Sequence, residues 1–454
     1  MVKIGTGRRL LVTPVWLLAV GLLVIWFTPG RPRASLASGE RTPDSRSFLP
    51  LVIRPGVGYA DSERYPGDEY YAKQWALETV SGPGAWALST GHNTVVAVID
   101  TGVDLVHPDL RDKVLADQGW DFVSNRRDAS DDHGHGTHVA GIAAAATDNE
   151  IGIAGIGWDA RILPLKVLDG SGQGYFSDVA AAISYAVAAG ADVVNLSLAP
   201  ETRMACPPTL QGVIDEAHTA GVVIVAAAGN NGARIDVPPA NCRHVLGVAA
   251  TRRDDSPAGY SSYGTHVSIA APGGGGSVDA IYSTLMGGGY GYNTGTSMAT
   301  PHVAGLAALL ISRYPAYSPA QVASAILDNA VDLGAPGWDE RFGCGRIDAA
   351  AALVHGARSS APLCLSSAAS SAQTDPGGVP QAGYAPGEII VQYRPGVAGP
   401  SRWPTYQAEA EFLPAVRAWR LQVPIGEESA ALSRLRADRD VLNAELNYRV
   451  FAQW

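Results

Sequence analysis

The sequence predicts an α/β fold, a mostly parallel sheet with helices on both faces, followed by a small α+β sandwich-like unit. Three observations predict it. Apolar, β-branched runs of strand length fall near 94–99, 161–167, 192–196, 222–227 and 245–250. Alanine-rich helical stretches fall near 135–146, 176–189, 209–219, 297–312 and 318–329. The two kinds alternate along the chain, and continuous apolar strands separated by helices satisfy their burial as parallel neighbours joined by crossovers. A chain of 454 residues with 46% hydrophobic content holds one large core and leaves material for a smaller one.

Taken in order, residues 1–37 open with Lys3, Arg8 and Arg9 ahead of the apolar run from Leu10 to Phe27. That is the pattern of an export signal, cleaved near Ser35-Leu36-Ala37 in a secreted protein or retained as a membrane anchor. Residues 38–66, rich in Ser, Pro, Arg and Gly, form a surface linker. The large α/β domain spans 67–358, a second linker 359–383, and the smaller unit 384–454. In that unit Pro386–Tyr393 is a strand pattern, Ser429–Arg436 an amphipathic helix and Asn443–Val450 a final strand. A net charge of −10, with no Lys/Arg cluster in the central region, excludes nucleic acid as a partner, and the chain is expected to be a monomer. Four cysteines, Cys206, Cys242, Cys344 and Cys364, lack the short spacing of a metal site and suit disulfides in an exported chain. Three pairings are open; nearest in sequence gives Cys206 with Cys242 and Cys344 with Cys364.

The chemistry sits at the ends of these elements. Asp100 ends the first apolar run, His135 opens a helical stretch relieved of bulk by Gly136, Ala140 and Gly141, and Ser297 stands at the mouth of a small-residue helix. A serine hydroxyl is a poor nucleophile at neutral pH, so an imidazole must take its proton and a carboxylate must hold that imidazole in the right tautomer. Asn230, after the run 222–227, can donate its side-chain N–H to a developing oxyanion, with the Ser297 main-chain N–H as the second donor. Singly, each residue has an ordinary reading as a turn or a helix cap. Together they specify a serine endopeptidase; a peptide-binding module without activity would lack a member, and none is lacking. His133, His138 and His302 are assigned no chemistry, the last two lying inside helical segments.

The four segments around Asp100, His135, Asn230 and Ser297 resemble the signature blocks of the subtilisin-like serine proteases, the subtilases, nearest their thermitase-like branch, over roughly Asp68 to Val354. The resemblance implies hydrolysis of polypeptides through an acyl-enzyme with no catalytic cofactor. It implies that substrate lies as an extra strand between Gly170-Ser171-Gly172 and Ser197-Leu198-Ala199, with Ala228 and Gly229 beside the oxyanion site. Ala199 and Pro200 stand where the family usually or often carries glycine, which leaves the first-pocket preference open. It also implies one structural calcium held by Asp68, Asp109, Asn149 and carbonyls of Thr147, Ile151 and Ile153. A second calcium loop would fall at 121–130, but Ser124 and Arg126 stand where acidic ligands are expected. Residues 384–454 resemble the inhibitory propeptide domain that normally precedes such enzymes. That likeness implies an intramolecular inhibitor, with Phe451 and Trp454 in apolar subsites and the terminal carboxylate near Ser297; its rival is a stability cap or adhesion module.

Overall fold

The structure, a computed structural model, describes residues 63–360, 362–364, 383–397, 399–400 and 410–454. The expected export signal and most of both expected linkers lie outside the described residues.

Two short helices, α1 (Trp75–Thr79) and α2 (Gly82–Trp86), precede β1 (Val95–Asp100) and β2 (Trp120–Asp121). Then follow α3 (His135–Ala144), β3 (Arg161–Lys166), β4 (Gln173–Tyr175), α4 (Phe176–Ala188), β5 (Val193–Leu196), β6 (Leu198–Ala199) and α5 (Pro208–Thr219). The large domain is completed by β7 (Val223–Ala227), β8 (Val245–Thr251), β9 (Ile269–Pro272), the hairpin β10 (Ile281–Leu285) and β11 (Gly289–Asn293), and α6 (Thr296–Arg313), α7 (Pro319–Leu327) and α8 (Ala349–His355). Seven strands form a parallel sheet in the order β2-β3-β1-β5-β7-β8-β9. Each of the five expected strands and five expected helices is present within a few residues of its expected bounds.

Alternation along β1 explains why the sheet needs cover on both sides. Val96 and Val98 join one core, with α3, α6 and α7, whereas Ala97 and Ile99 join the other, with α4 and α5. All four are fully buried. Disulfides join Cys206 to Cys242 and Cys344 to Cys364, the nearest-in-sequence pairing.

The C-terminal region builds an antiparallel sheet from β12 (Tyr384–Tyr393), β13 (Ala410–Leu413), β14 (Ala418–Gln422) and β15 (Val441–Ala452), with α9 (Glu428–Ala437) against it. Its sheet is buried on both faces. Ile389 and Val391 pack with Leu432 and Leu435 of α9, while Ile390, Ala418 and Val450 join the core beneath α4 and α5. A nine-residue core of this size stabilises little by itself, so docking completes it.

Candidate active site

The C-terminal ends of parallel strands gather the functional side chains. β1 delivers Asp100, fully buried, opposite Lys166 of β3. Lys166 Nζ donates to Thr101 O at 2.7 Å, Leu168 O at 2.8 Å and Asp132 Oδ1 at 2.6 Å, which clamps the turn after β1. His135 opens α3, and its Nδ1 lies 2.7 Å from Asp100 Oδ1. Helix and strand end can approach so closely because residue 136 is glycine: a Cβ there would meet Gly102 O at 2.1 Å.

Asp131 holds this arrangement, although no sequence motif marks it. Its Oδ1 accepts from His133 N at 3.0 Å, Gly134 N at 2.9 Å and Thr101 Oγ1 at 2.8 Å, and its Oδ2 accepts from Thr137 N at 3.0 Å. Burial works to raise its pKa, but these donors outweigh it and hold the carboxyl below its usual range. The one signal in the sequence is an aspartate ahead of a helix start, where a carboxylate satisfies the free N–H groups.

Ser297 is the second residue of α6, after Gly295, whose φ of 152° only glycine adopts readily. Pro301 has no N–H to give to the carbonyl four residues back. That carbonyl belongs to Ser297, and it accepts instead from Ser197 Oγ at 3.0 Å, tying the helix start to the segment after β5. The Ser297 hydroxyl donates to Ser197 O at 2.9 Å, and His135 Nε2 has no hydrogen-bond partner among the described residues. Asn230 is oriented by Thr296, whose N and Oγ1 donate to its Oδ1 at 3.0 and 2.8 Å. Its Nδ2 therefore faces the cleft.

The end of β15 fills that cleft. It runs antiparallel to β4 and to β6, with Val450 opposite Gly174 and Phe451 opposite both Gln173 and Ala199. Ala452 N donates to Gly172 O at 2.9 Å and Asn230 Nδ2 to Trp454 O at 2.6 Å. Two expectations are corrected here. Gly170 and Ser171 are not on the paired edge; they form a turn closed by Asp169 Oδ1, which accepts from Ser171 N and Gln173 N, so pairing begins at Gly172. Trp454 is 44% exposed, whereas Gln453 is 7% exposed and its side chain bonds Asn230 N and Ala199 O; Phe451, two residues away on the same strand face, is half-buried. Side chains alternate along a strand, and the observed register turns Gln453 inward. The Trp454 ring lies edge-on to His135 at 4.6 Å and tilted over His133 at 5.5 Å.

Away from the cleft, Asp68 accepts from Asp148 N and Asn149 N at 2.9 Å each, and Asp109 from Asn149 Nδ2 at 2.9 Å and Ile153 N at 2.8 Å. Burial raises both carboxyls' pKa values, and neither is in an ion pair among the described residues. No group of three His, Cys, Asp or Glu side chains that could hold a metal occurs among the described residues. Two desolvated carboxylates without a cation, an amide and a carbonyl-rich turn fit a hard divalent ion better than a soft one. In the loop at 121–130, Arg126 Nε approaches Asp121 Oδ2 at 3.2 Å, so a guanidinium already balances that carboxylate. His138 and His302 are buried, and desolvation pushes their pKa values down to about 3 and about 4, keeping them neutral.

A profile described as the subtilase family matches residues 91–345. A thermophilic serine proteinase of Bacillus sp. (strain AK1) is 48% identical over 55% of this chain and 60% of its own length, so this chain spans less than two thirds of that relative. Thermitase of Thermoactinomyces vulgaris is 40% identical over 64% of this chain and 99% of its own length. Among solved structures, a protease from Pseudoalteromonas arctica superimposes with a TM-score of 0.59 at 34% identity, covering 64% of this chain and 98% of that one. Residues 384–454 lie beyond the family match.

Proposed function

This chain belongs to the subtilase family and is a subtilisin-like serine endopeptidase, and on that premise we propose that Asp100, His135 and Ser297 form its triad and that residues 384–454 form its intramolecular inhibitor. Ser297 Oγ attacks the carbonyl of the bond to be cut while His135 Nε2 takes its proton. Asp100 holds the Nδ1–H tautomer and stabilises the imidazolium. Asn230 Nδ2 and the Ser297 main-chain N–H receive the negative charge that develops on the carbonyl oxygen. His135 then protonates the leaving amine, and water releases the acyl group by the same steps in reverse. The observation that carries this reading is the 2.7 Å contact of His135 Nδ1 with Asp100 at one rim of the cleft that Ser297 and Asn230 border. Gly172 and the segment 197–199, with Ala228 and Gly229, serve the substrate; an exported location rests on the basic head and apolar run at residues 3–27.

For the inhibitor role, the supporting observation is occupancy. The end of β15 takes the place of a substrate strand, Trp454 covers His135, and the Ser297 hydroxyl is engaged with Ser197 O. Reaction requires the tail to leave and Ser297 to rotate toward His135. A stability cap would leave the cleft free.

The docking is tested by pH. Glu445 of β15 is 6% exposed against α5, its Oε1 accepts from Thr209 N at 3.3 Å, and its Oε2 has no partner among the described residues. Burial raises its pKa to about 7, with Thr209 and Arg436 opposing. A carboxyl whose pKa is higher when docked than when free favours docking most at low pH. That contribution is lost as pH rises toward about 7, by at most about tenfold per pH unit. The rate at which a fluorophosphonate labels Ser297 in the wild type, divided by that of Glu445→Gln, is expected to rise between pH 5 and pH 7. A flat ratio contradicts the docking role of Glu445.

We further propose calcium at Asp68, Asp109, Asn149 and the carbonyls of Thr147, Ile151 and Ile153. Such an ion bridges the segment before α1 to the loop after α3, and any ligand of the folded state alone stabilises it, by about 2.7 kcal/mol at a hundred times its Kd. A strong chelator is expected to lower Tm by on the order of 5 °C for a domain of this size. An unchanged Tm refutes this site.

A further inference from the structure

The tail lies in the cleft in a fixed register. Phe451 pairs across to Ala199, Ala452 N donates to Gly172 O, and Gln453 N reaches Ser197 O at 3.4 Å. Because alternate side chains of a strand face opposite ways, it is Gln453 that turns into the pocket between β6 and the turn at 228–230.

There its carboxamide is engaged at both ends. Oε1 accepts from Asn230 N at 3.1 Å, and Nε2 donates to Ala199 O at 3.2 Å and to Phe451 O at 3.2 Å. Both enzyme groups belong to the main chain, one a donor and one an acceptor, so neither can change its polarity by rotating a side chain. Among the described residues Asn230 N makes no other hydrogen bond.

We infer that this first pocket selects a carboxamide, so that the enzyme prefers glutamine immediately before the bond it cuts, with the Asn230 N–H and the Ala199 C=O as the specificity-determining groups. The inference deepens the endopeptidase reading above and rests on it. Glutamate, nearly the same shape, turns an acceptor toward Ala199 O and brings a charge into a dry pocket. Methionine, of similar length, and phenylalanine fill space but leave the Asn230 N–H unpaired, and a buried group without its partner is costly. Lysine supplies donors only.

The test uses the full chain and chromogenic peptides of the form Ala-Ala-Pro-X-p-nitroanilide with X as Gln, Glu, Met or Phe. The expected result is a kcat/KM for Gln about tenfold or more above each of the others, the discrimination of a site that hydrogen-bonds its ligand. A second measurement does not need a peptide to displace the tail. Labelling of Ser297 by a fluorophosphonate should speed up by about tenfold in Gln453→Met and in Gln453→Glu, because each loosens the docked strand. Phe or Met peptides cleaved as fast as Gln, or a Gln453→Phe chain labelled more slowly than the wild type, would show an apolar pocket and overturn the inference. A chain that hydrolyses none of the peptides and takes no label in any variant instead removes the serine peptidase reading, a different failure.

Discussion

Ser297→Ala is expected to eliminate peptidase turnover, by on the order of the millionfold that loss of the nucleophile costs subtilisin. The loss is this large because attack by the hydroxyl and proton transfer to His135 act as one unit, so removing either member removes both. What survives is charge stabilisation by Asn230 and the main chain. Asn230→Leu removes that second contribution and is expected to cost about a hundred- to a thousandfold, as loss of the oxyanion amide does in subtilisin, while leaving the nucleophile in place. The two variants are distinguished by a fluorophosphonate probe: Ser297→Ala takes no label, whereas Asn230→Leu labels slowly. Turnover retained in Ser297→Ala would refute the assignment of the nucleophile.

Val450→Asp in the full chain speeds labelling of Ser297 by about a hundredfold. Val450 is fully buried where β15 meets the core beneath α4 and α5, and Gly174 lies opposite it on the cleft edge. A carboxylate placed there without a cation disfavours docking by about 3 kcal/mol, close to a hundredfold in the ratio of docked to free tail. Deleting residues 384–454 has two expected effects. Peptidase rate is expected to rise, since no tail competes for the cleft. Refolding yield is expected to fall, since the face that received Ile390, Ala418 and Val450 is left exposed beside a slow-forming parallel sheet. Unchanged values for both, together with an unchanged labelling rate in Val450→Asp, would end the inhibitor reading.

Much of the large domain was legible because its signals are local. Buried strands such as Val95–Asp100 and Val223–Ala227 are continuous apolar runs, and α3 to α7 start and stop near their expected residues. Several other short elements left no such trace. β2, β6 and β9 owe their existence to the neighbour that pairs with them, and the hairpin β10–β11 is glycine-rich at residues 287–291. The cleft edge was expected at residues 170–172 because that run matches the substrate-binding segment of the subtilases. Asp169 spends that run on a turn, and the pairing edge is Gly172 to Tyr175.

By itself the sequence determined the α/β alternation, the acid, imidazole, alcohol and amide that we propose as the catalytic groups, and the strand or helix end on which each one sits. These follow from residue type and from periods of two and 3.6, which are properties of neighbouring residues. Only the tertiary structure decided that Asp131 braces the turn into His135, that Arg126 balances Asp121, and that Gln453 rather than Trp454 enters the first pocket. Each depends on which groups meet across the fold, and a strand displaced by one residue presents its opposite face, a choice that distant partners settle.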